Sequence, residues 1–244
     1  MIVSTEAELP LGEKRSLPPA LFALAAPEEG MARQAKVGKW GLPLLIAFVC
    51  SALAGSMQAI RVDAHDSTMQ KMEMMGQLQT MSDRQIQEET TQAERIAQVK
   101  HVAIGVLQAP ILMLLTALAV VALCWFLRGK ISGRAVMPVA AAVLLPGAIA
   151  NLLDGIAAFQ HAMLPPDGVP LAPRNLNALL LAVGHPLMPP WVKLGNALDF
   201  FSLWAAVLLG YGVAATGNIP VKRALIGTLV AWVAFRLLTN VAGG

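Results

Sequence analysis

The sequence predicts an all-α fold: a polytopic membrane helix bundle of about five transmembrane helices, with an extramembrane helical hairpin between spans one and two. Three observations carry that prediction. The 244 residues are 56% hydrophobic and only 14% charged, whereas soluble domains hold about 25% charged residues. The mean hydropathy is +0.61, and with aromatics at 5% the apolar surplus is Ala, Leu, Val and Met. The apolar residues also gather into runs of span length, separated by segments that hold nearly all the charge.

Residues 1–40 form a polar segment with Pro10, Pro18, Pro19 and Pro27 and little helical periodicity. It is expected to be a flexible cytoplasmic tail. Arg33, Lys36, Lys39 and Trp40 then precede an uncharged run, 41–60, long enough to cross a hydrocarbon core of about 30 Å. Ser51 to Ala54 resemble a signal-peptidase site, but a leader of this length is unusual, so the run is read as a retained first span.

Residues 61–101 change character. Five basic residues stand against seven acids, giving −2. Met69, Met72, Met75, Leu78 and Met81 recur every three positions, the spacing of one helical side. Ser82 followed by Gln85 has the spacing of a capping box. The expected object is a helical hairpin outside the bilayer, its second arm running into span two at 102–127. Pro110 should kink that span. Span three is 135–159, interrupted by Pro146, Asn151 and Asp154. Residues 160–197 hold seven prolines and read as a loop; its apolar piece 177–184 is too short to cross a bilayer and lies at the interface or dips in and returns. Spans four and five are 198–217 and 224–241, joined by a tight basic turn.

Basic residues near span ends set orientation. With the N-terminus inside, the inner segments carry Arg33, Lys36 and Lys39, then Arg128, Lys130 and Arg134, then Lys222 and Arg223. The acids of the hairpin then fall outside, as does the C-terminus. Trp40 and Trp125 sit at the inner interface.

Small residues every four positions mark helix contacts in lipid: Ala47, Ser51 and Gly55 in span one, Ser202, Ala206, Gly210 and Ala214 in span four, Gly227 and Ala231 in span five. These faces serve packing within one bundle or a homo-oligomer contact.

Three ionisable residues fall within spans, Asp154, Asp199 and Arg236, all toward the outer side, with Asn151 and Asn240 about one turn away. Charges at that depth are costly unless paired, snorkelled or hydrated. Arg236 is therefore expected to pair with Asp199 or with Asp154, and the short turn between spans four and five makes Asp199 the easier to reach. A transporter or channel built on this polar cluster is the alternative reading. A remoter one, an intramembrane aspartyl protease, lacks the family's Tyr-Asp and Gly-x-Gly-Asp contexts around Asp154 and Asp199.

His65, His101, His161 and His185 have no metal-ligand spacing. His65 with Met69 and Met72 could be imagined as a copper(I) site, but methionine at this spacing more often makes an adaptable apolar face. Met69, Met72, Met75 and Leu78 are accordingly expected to form a partner-binding or self-packing face. Cys50 and Cys124 lie in different apolar runs and read as small hydrophobes. No catalytic, cofactor or metal site is expected, and basic residues clustered with aromatics, as nucleic acid would require, are absent from the sequence.

The C-terminal half resembles the Yip family, the Ypt-interacting membrane proteins. The resemblance lies in Asp199, Phe201 and Trp204 opening a span, a Gly-rich stretch, the basic pair Lys222 and Arg223, and a last span with Arg236. The stretch from Arg128 to Asp154 also looks like the family's second-to-third-span connection. This covers roughly residues 100–241. It implies five spans, a cytoplasmic N-terminus and a scaffold or adaptor without enzymatic activity; the Rab partners of eukaryotic members are not carried over. The Ala/Leu-rich style suggests a bacterial-type member in an inner membrane, with the lipid bilayer and an unidentified protein partner or homo-oligomer as its contacts.

Overall fold

The computed structural model describes residues 17–158, 160, 172–185, 187–188, 191–192, 195 and 198–242, apart from the side chains at 78, 182 and 240–242. Expectations for residues 1–16 and for most of the 160–197 loop lie outside the described residues.

The chain folds as helices: α1 (Pro19–Ala25), α2 (Pro27–Val37), α3 (Gly41–Arg61), α4 (His65–Met74), a 3-10 turn (Gln77–Gln79), α5 (Asp83–Phe126), α6 (Gly133–Val143), α7 (Leu145–Ala158), α8 (Leu176–Ala182), α9 (Phe200–Gly217) and α10 (Val221–Ala242). Four segments are long and apolar enough to cross a membrane: α3, the C-terminal part of α5, α6 with α7, and α9. The molecule is a helical membrane bundle. The expected fifth span falls on helix α10, which is not among those four; its 22 residues rise about 33 Å. Ile226, Val230 and Phe235 stand exposed along α10. Lys222 and Arg223 fall in its first turn rather than in the connection before it. That connection is only Asn218 to Pro220, with Asn218 in the left-handed region at φ 50°.

The third expected span is two helices. Its hydrogen-bonded ladder breaks at Leu144, just before Pro146, whose ring removes a donor and crowds the preceding turn. Pro110, by contrast, stays inside the 44-residue α5.

Between α3 and α5 the chain makes the hairpin. Ser82 and Gln85 exchange their capping-box bonds, the Ser82 backbone N–H donating to Gln85 Oε1 at 2.9 Å. The expected methionine face is not one face. Helix α4 ends at Met74, and Gly76 turns the chain at φ 69°. Met72 is buried, while Met74 and Met75 are exposed beside the turn. Leu78's side chain lies outside the description.

The N-terminal segment departs furthest from expectation. Instead of a flexible tail through residue 40, residues 19–37 are two helices with Ala20, Ala23 and Met31 fully buried in the main core. Pro19 and Pro27 each sit at the start of a helix, where a missing N–H costs nothing. Gly38 ends α2 in the left-handed region. Gly30 lies against the Ala23 backbone so closely that no Cβ would fit. Gln34, buried, donates from Nε2 to the Lys39 carbonyl at 2.7 Å and the Pro138 carbonyl at 3.3 Å, tying α2 to α6.

The spans meet through small residues. A Cβ on Gly55 of α3 would lie 2.6 Å from the His101 carbonyl oxygen and 2.9 Å from Gly105 Cα of α5, so the two backbones touch. On the other side of α3, a Cβ on Gly155 of α7 would lie 2.7 Å from Ala54 Cα. Helix α3 is thus held between α5 and α7. Ala206, Gly210 and Ala214 of α9 are buried within the same chain, and Gly227 of α10 faces Leu127. The faces on α3 and α9 are used in intramolecular packing, whereas Ala231 of α10 is exposed.

Candidate functional site

The polar cluster assembles where α7 ends and α9 begins. Asp199 is the N-cap of α9. A helix start leaves its first four N–H groups without intrahelical partners, and here three of them find one. Asp199 Oδ1 accepts from Phe201 N at 2.9 Å and Ser202 N at 3.3 Å, and Phe200 N donates to the Arg174 carbonyl at 3.1 Å. Asn175 caps α8 in the same way, accepting from Ala178 N at 2.7 Å. Between the two caps the chain pairs as an isolated antiparallel bridge, Asn175 with Asp199. Leu176 N donates to the Leu198 carbonyl at 3.0 Å.

That bridge delivers Arg174 to the acids. Its Nη1 lies 2.9 Å from Asp154 Oδ2, and its Nε lies 3.8 Å from Asp199 Oδ2. Asp154, on α7, also accepts from Ala172 N at 2.9 Å. Its side chain is 7% exposed, and these partners satisfy its oxygens there. Arg236 crosses from α10 to α9: Nη2 donates to Ser202 Oγ at 2.6 Å and stands 3.7 Å from Asp199 Oδ2. Ser202 in turn donates to the Asp199 carbonyl at 2.9 Å. The Arg236 guanidinium also lies 6.0 Å from the Trp232 ring centroid.

The structure therefore brings Asp154, Asp199 and Arg236 into one cluster, with Arg174 as the bridge. Arg236 approaches Asp199. Two carboxylates and two guanidiniums sum to zero charge. A cation between the acids is what a shared-proton aspartyl dyad excludes. Asn151 sits a turn below Asp154 but turns to α5, donating to Gln108 Oε1 at 3.2 Å. The side chain of Asn240 lies outside the described residues. Among the described residues no three His, Cys, Asp or Glu side chains gather into a metal site.

Sequence reasoning missed Arg174 because it lies in a proline-rich loop, where a charge reads as solvated. A signal existed. Two intramembrane acids against one intramembrane base leave one negative charge uncompensated, and the loop after the third expected span offers Arg174 and Lys193. Gln108 was missed because one amide in a long apolar run gives no pattern.

Below the cluster a partly open cleft of about 250 Å³ lies between α3, α5, α7 and α9. Ser51, Gln108, Thr116, Asn151, Arg174, Asp199 and Ser202 contribute its polar lining, and Leu112, Leu144, Phe201 and Ala205 are among the apolar residues.

Comparison with known protein families matches residues 22–242 to the Yip1 domain. The match begins within α1, so the buried N-terminal helices are part of that domain. Neither the curated proteins nor the solved structures include a match. With nearly its whole length covered, from α1 through α10, the chain belongs to the Yip1 domain family.

Proposed function

We propose that this protein is a non-enzymatic membrane scaffold of the Yip type, oriented with its N-terminus in the cytoplasm and its hairpin 61–101 on the outer side of a bacterial inner membrane. The observation that supports this reading is the mutual pairing of charges within the polar cluster. Each intramembrane charge has an opposite partner within 4 Å, and the carboxylates are occupied by helix-end and loop N–H groups. Such a cluster ties α7, the 172–175 segment, α9 and α10 together. A proton or ion path would need these groups hydrated and free to change partners.

The partner surface in this reading is the hairpin turn, where Met74 and Met75 are exposed on flexible, polarisable side chains suited to adaptable contacts. The test is a pair of measurements on the purified protein. In proteoliposomes, proton and cation flux should match empty vesicles and stay unchanged in Asp154→Asn and Asp199→Asn. In the native membrane, a complex purified with the protein should be lost on Met74→Ser with Met75→Ser. A flux that either aspartate variant abolishes would establish the transport reading instead.

A further inference from the structure

We propose that the cleft beneath the polar cluster is a binding site for an uncharged, ester-linked lipid of the diacylglycerol type. One ester group would sit on Gln108 and Asn151, and the attached chain would run along the apolar wall.

The cleft has the two-sided chemistry such a ligand needs. Leu112, Leu144, Phe201 and Ala205 line it together with Ser51, Gln108 and Asn151. Leu112 is exposed on a helix whose neighbouring Ile111, Leu114 and Leu115 face outward, so the solvent at this opening is lipid. Ser51 is 4% exposed and its hydroxyl makes no hydrogen bond among the described residues. The two carboxamides share a single bond, Asn151 Nδ2 to Gln108 Oε1. Among the described residues no other hydrogen bond reaches these two side chains, so the Gln108 amide N–H groups and the Asn151 carbonyl oxygen have capacity for a ligand on the donor and acceptor inventory of a carboxamide. Unpaired amide groups below the interface are costly, and an ester carbonyl supplies the missing acceptor while a glycerol hydroxyl supplies a donor.

The choice of an uncharged head follows from the cluster above. Its four charges cancel, and although the buried Arg174 Nε makes no hydrogen bond among the described residues, a phosphate entering there would compete with Asp154 and Asp199 for the same guanidinium. The volume, about 250 Å³, falls below that of sites enclosing a whole drug-sized ligand, and suits an ester with part of one chain while the rest of the lipid stays in the bilayer. Water filling the cleft is the competing occupant.

The test uses the full chain, delipidated in detergent, with three probes: dioleoylglycerol, its diether analogue and dioleoyl phosphatidylglycerol. Native mass spectrometry and thermal unfolding read binding. The expected result is one retained dioleoylglycerol per chain and a raised Tm. The diether, which lacks the carbonyl acceptor, should bind about tenfold more weakly, as loss of one or two neutral hydrogen bonds would give. Gln108→Leu should bring the diester down to the diether's level and leave the diether unchanged. Ala205→Leu, on the opposite wall, should weaken both and covers the case in which Gln108→Leu does not fold. Equal binding of diester and diether, tighter binding of phosphatidylglycerol, or no retained lipid would each overturn the assignment.

Discussion

Asp154 and Arg174 meet at 2.9 Å although one closes a span and the other lies in the loop beyond it. The backbone places them: the Ala172 N–H binds the other oxygen of the same carboxylate, and the Asn175–Asp199 bridge fixes the chain just past Arg174. The loop is thereby fastened at two points to the helices it connects. Both side chains are largely withdrawn from solvent, so each offsets the cost of burying the other.

Arg174→Met should therefore destabilise the bundle by about 3–5 kcal/mol, because it strands a buried carboxylate. Adding Asp154→Asn should recover part of that loss. Thermal unfolding of the two single variants and the double, in one detergent, measures the coupling. Strictly additive losses would mean that the pair contributes nothing.

Asp199 performs two jobs that substitution can separate. Asparagine retains the N-cap role and gives up the charge toward Arg174 and Arg236; alanine gives up both. Asp199→Ala should be about 1 kcal/mol worse than Asp199→Asn, the usual worth of a cap. Unfolding midpoints at fixed pH decide it, and equal losses would leave the cap without weight.

The spans were legible because lipid imposes one dominant rule, apolar runs of sufficient length, and α3, α5 and α9 obey it. The capping box at Ser82 was legible because it is local. The α1–α2 pair was not, since its packing rests on Ala20, Ala23 and Gly30, small residues that carry no periodic signal, and since Pro18, Pro19 and Pro27 read as chain-breakers rather than as helix starts. The methionine repeat misled for the opposite reason: its spacing of three is helical, but Gly76 turns the chain within it. Arg236 meeting Asp199 was legible from the short connection between α9 and α10, whereas Arg174 required tertiary pairing that only the folded loop provides.

Contact between α3 and α5 should be intolerant of any side chain at its closest point. Gly55→Val places carbon where the His101 carbonyl and Gly105 Cα already stand, so the helices must separate. Overpacking of this kind costs about 1–3 kcal/mol or more. Gly41→Val is the control, since nothing lies within 4 Å of a Cβ there. Unfolding temperatures for the two variants should differ clearly, and similar values would show that α3 and α5 can part without penalty.

Orientation is tested by cysteine labelling from either side, in a background lacking Cys50 and Cys124. Asp83→Cys, at the start of α5, should react with an impermeant maleimide added to intact cells. Ser132→Cys, in the connection to α6, should react only after permeabilisation. Labelling of residue 132 from outside would invert the proposed topology and move the hairpin to the cytoplasm.

Met31 offers the sharpest test of the N-terminal helices. It is fully buried in the main core, and its Cε would lie 3.0 Å from a Cβ on Gly212, with Val139 at the same place. The side chain thus fills the junction of α2, α6 and α9. Removing most of it leaves a hole that the surrounding backbone cannot easily close, because Gln34 holds α2 to the Pro138 carbonyl and Gly30 holds it to α1. Met31→Ala should cost about 2–5 kcal/mol, the range for truncating a buried large side chain. Met31→Leu, which nearly conserves volume, should cost less than about 1.5 kcal/mol. A flexible tail would respond to neither change. Thermal unfolding of the two variants separates these outcomes, and an unchanged midpoint for Met31→Ala would place residues 19–37 outside the bundle.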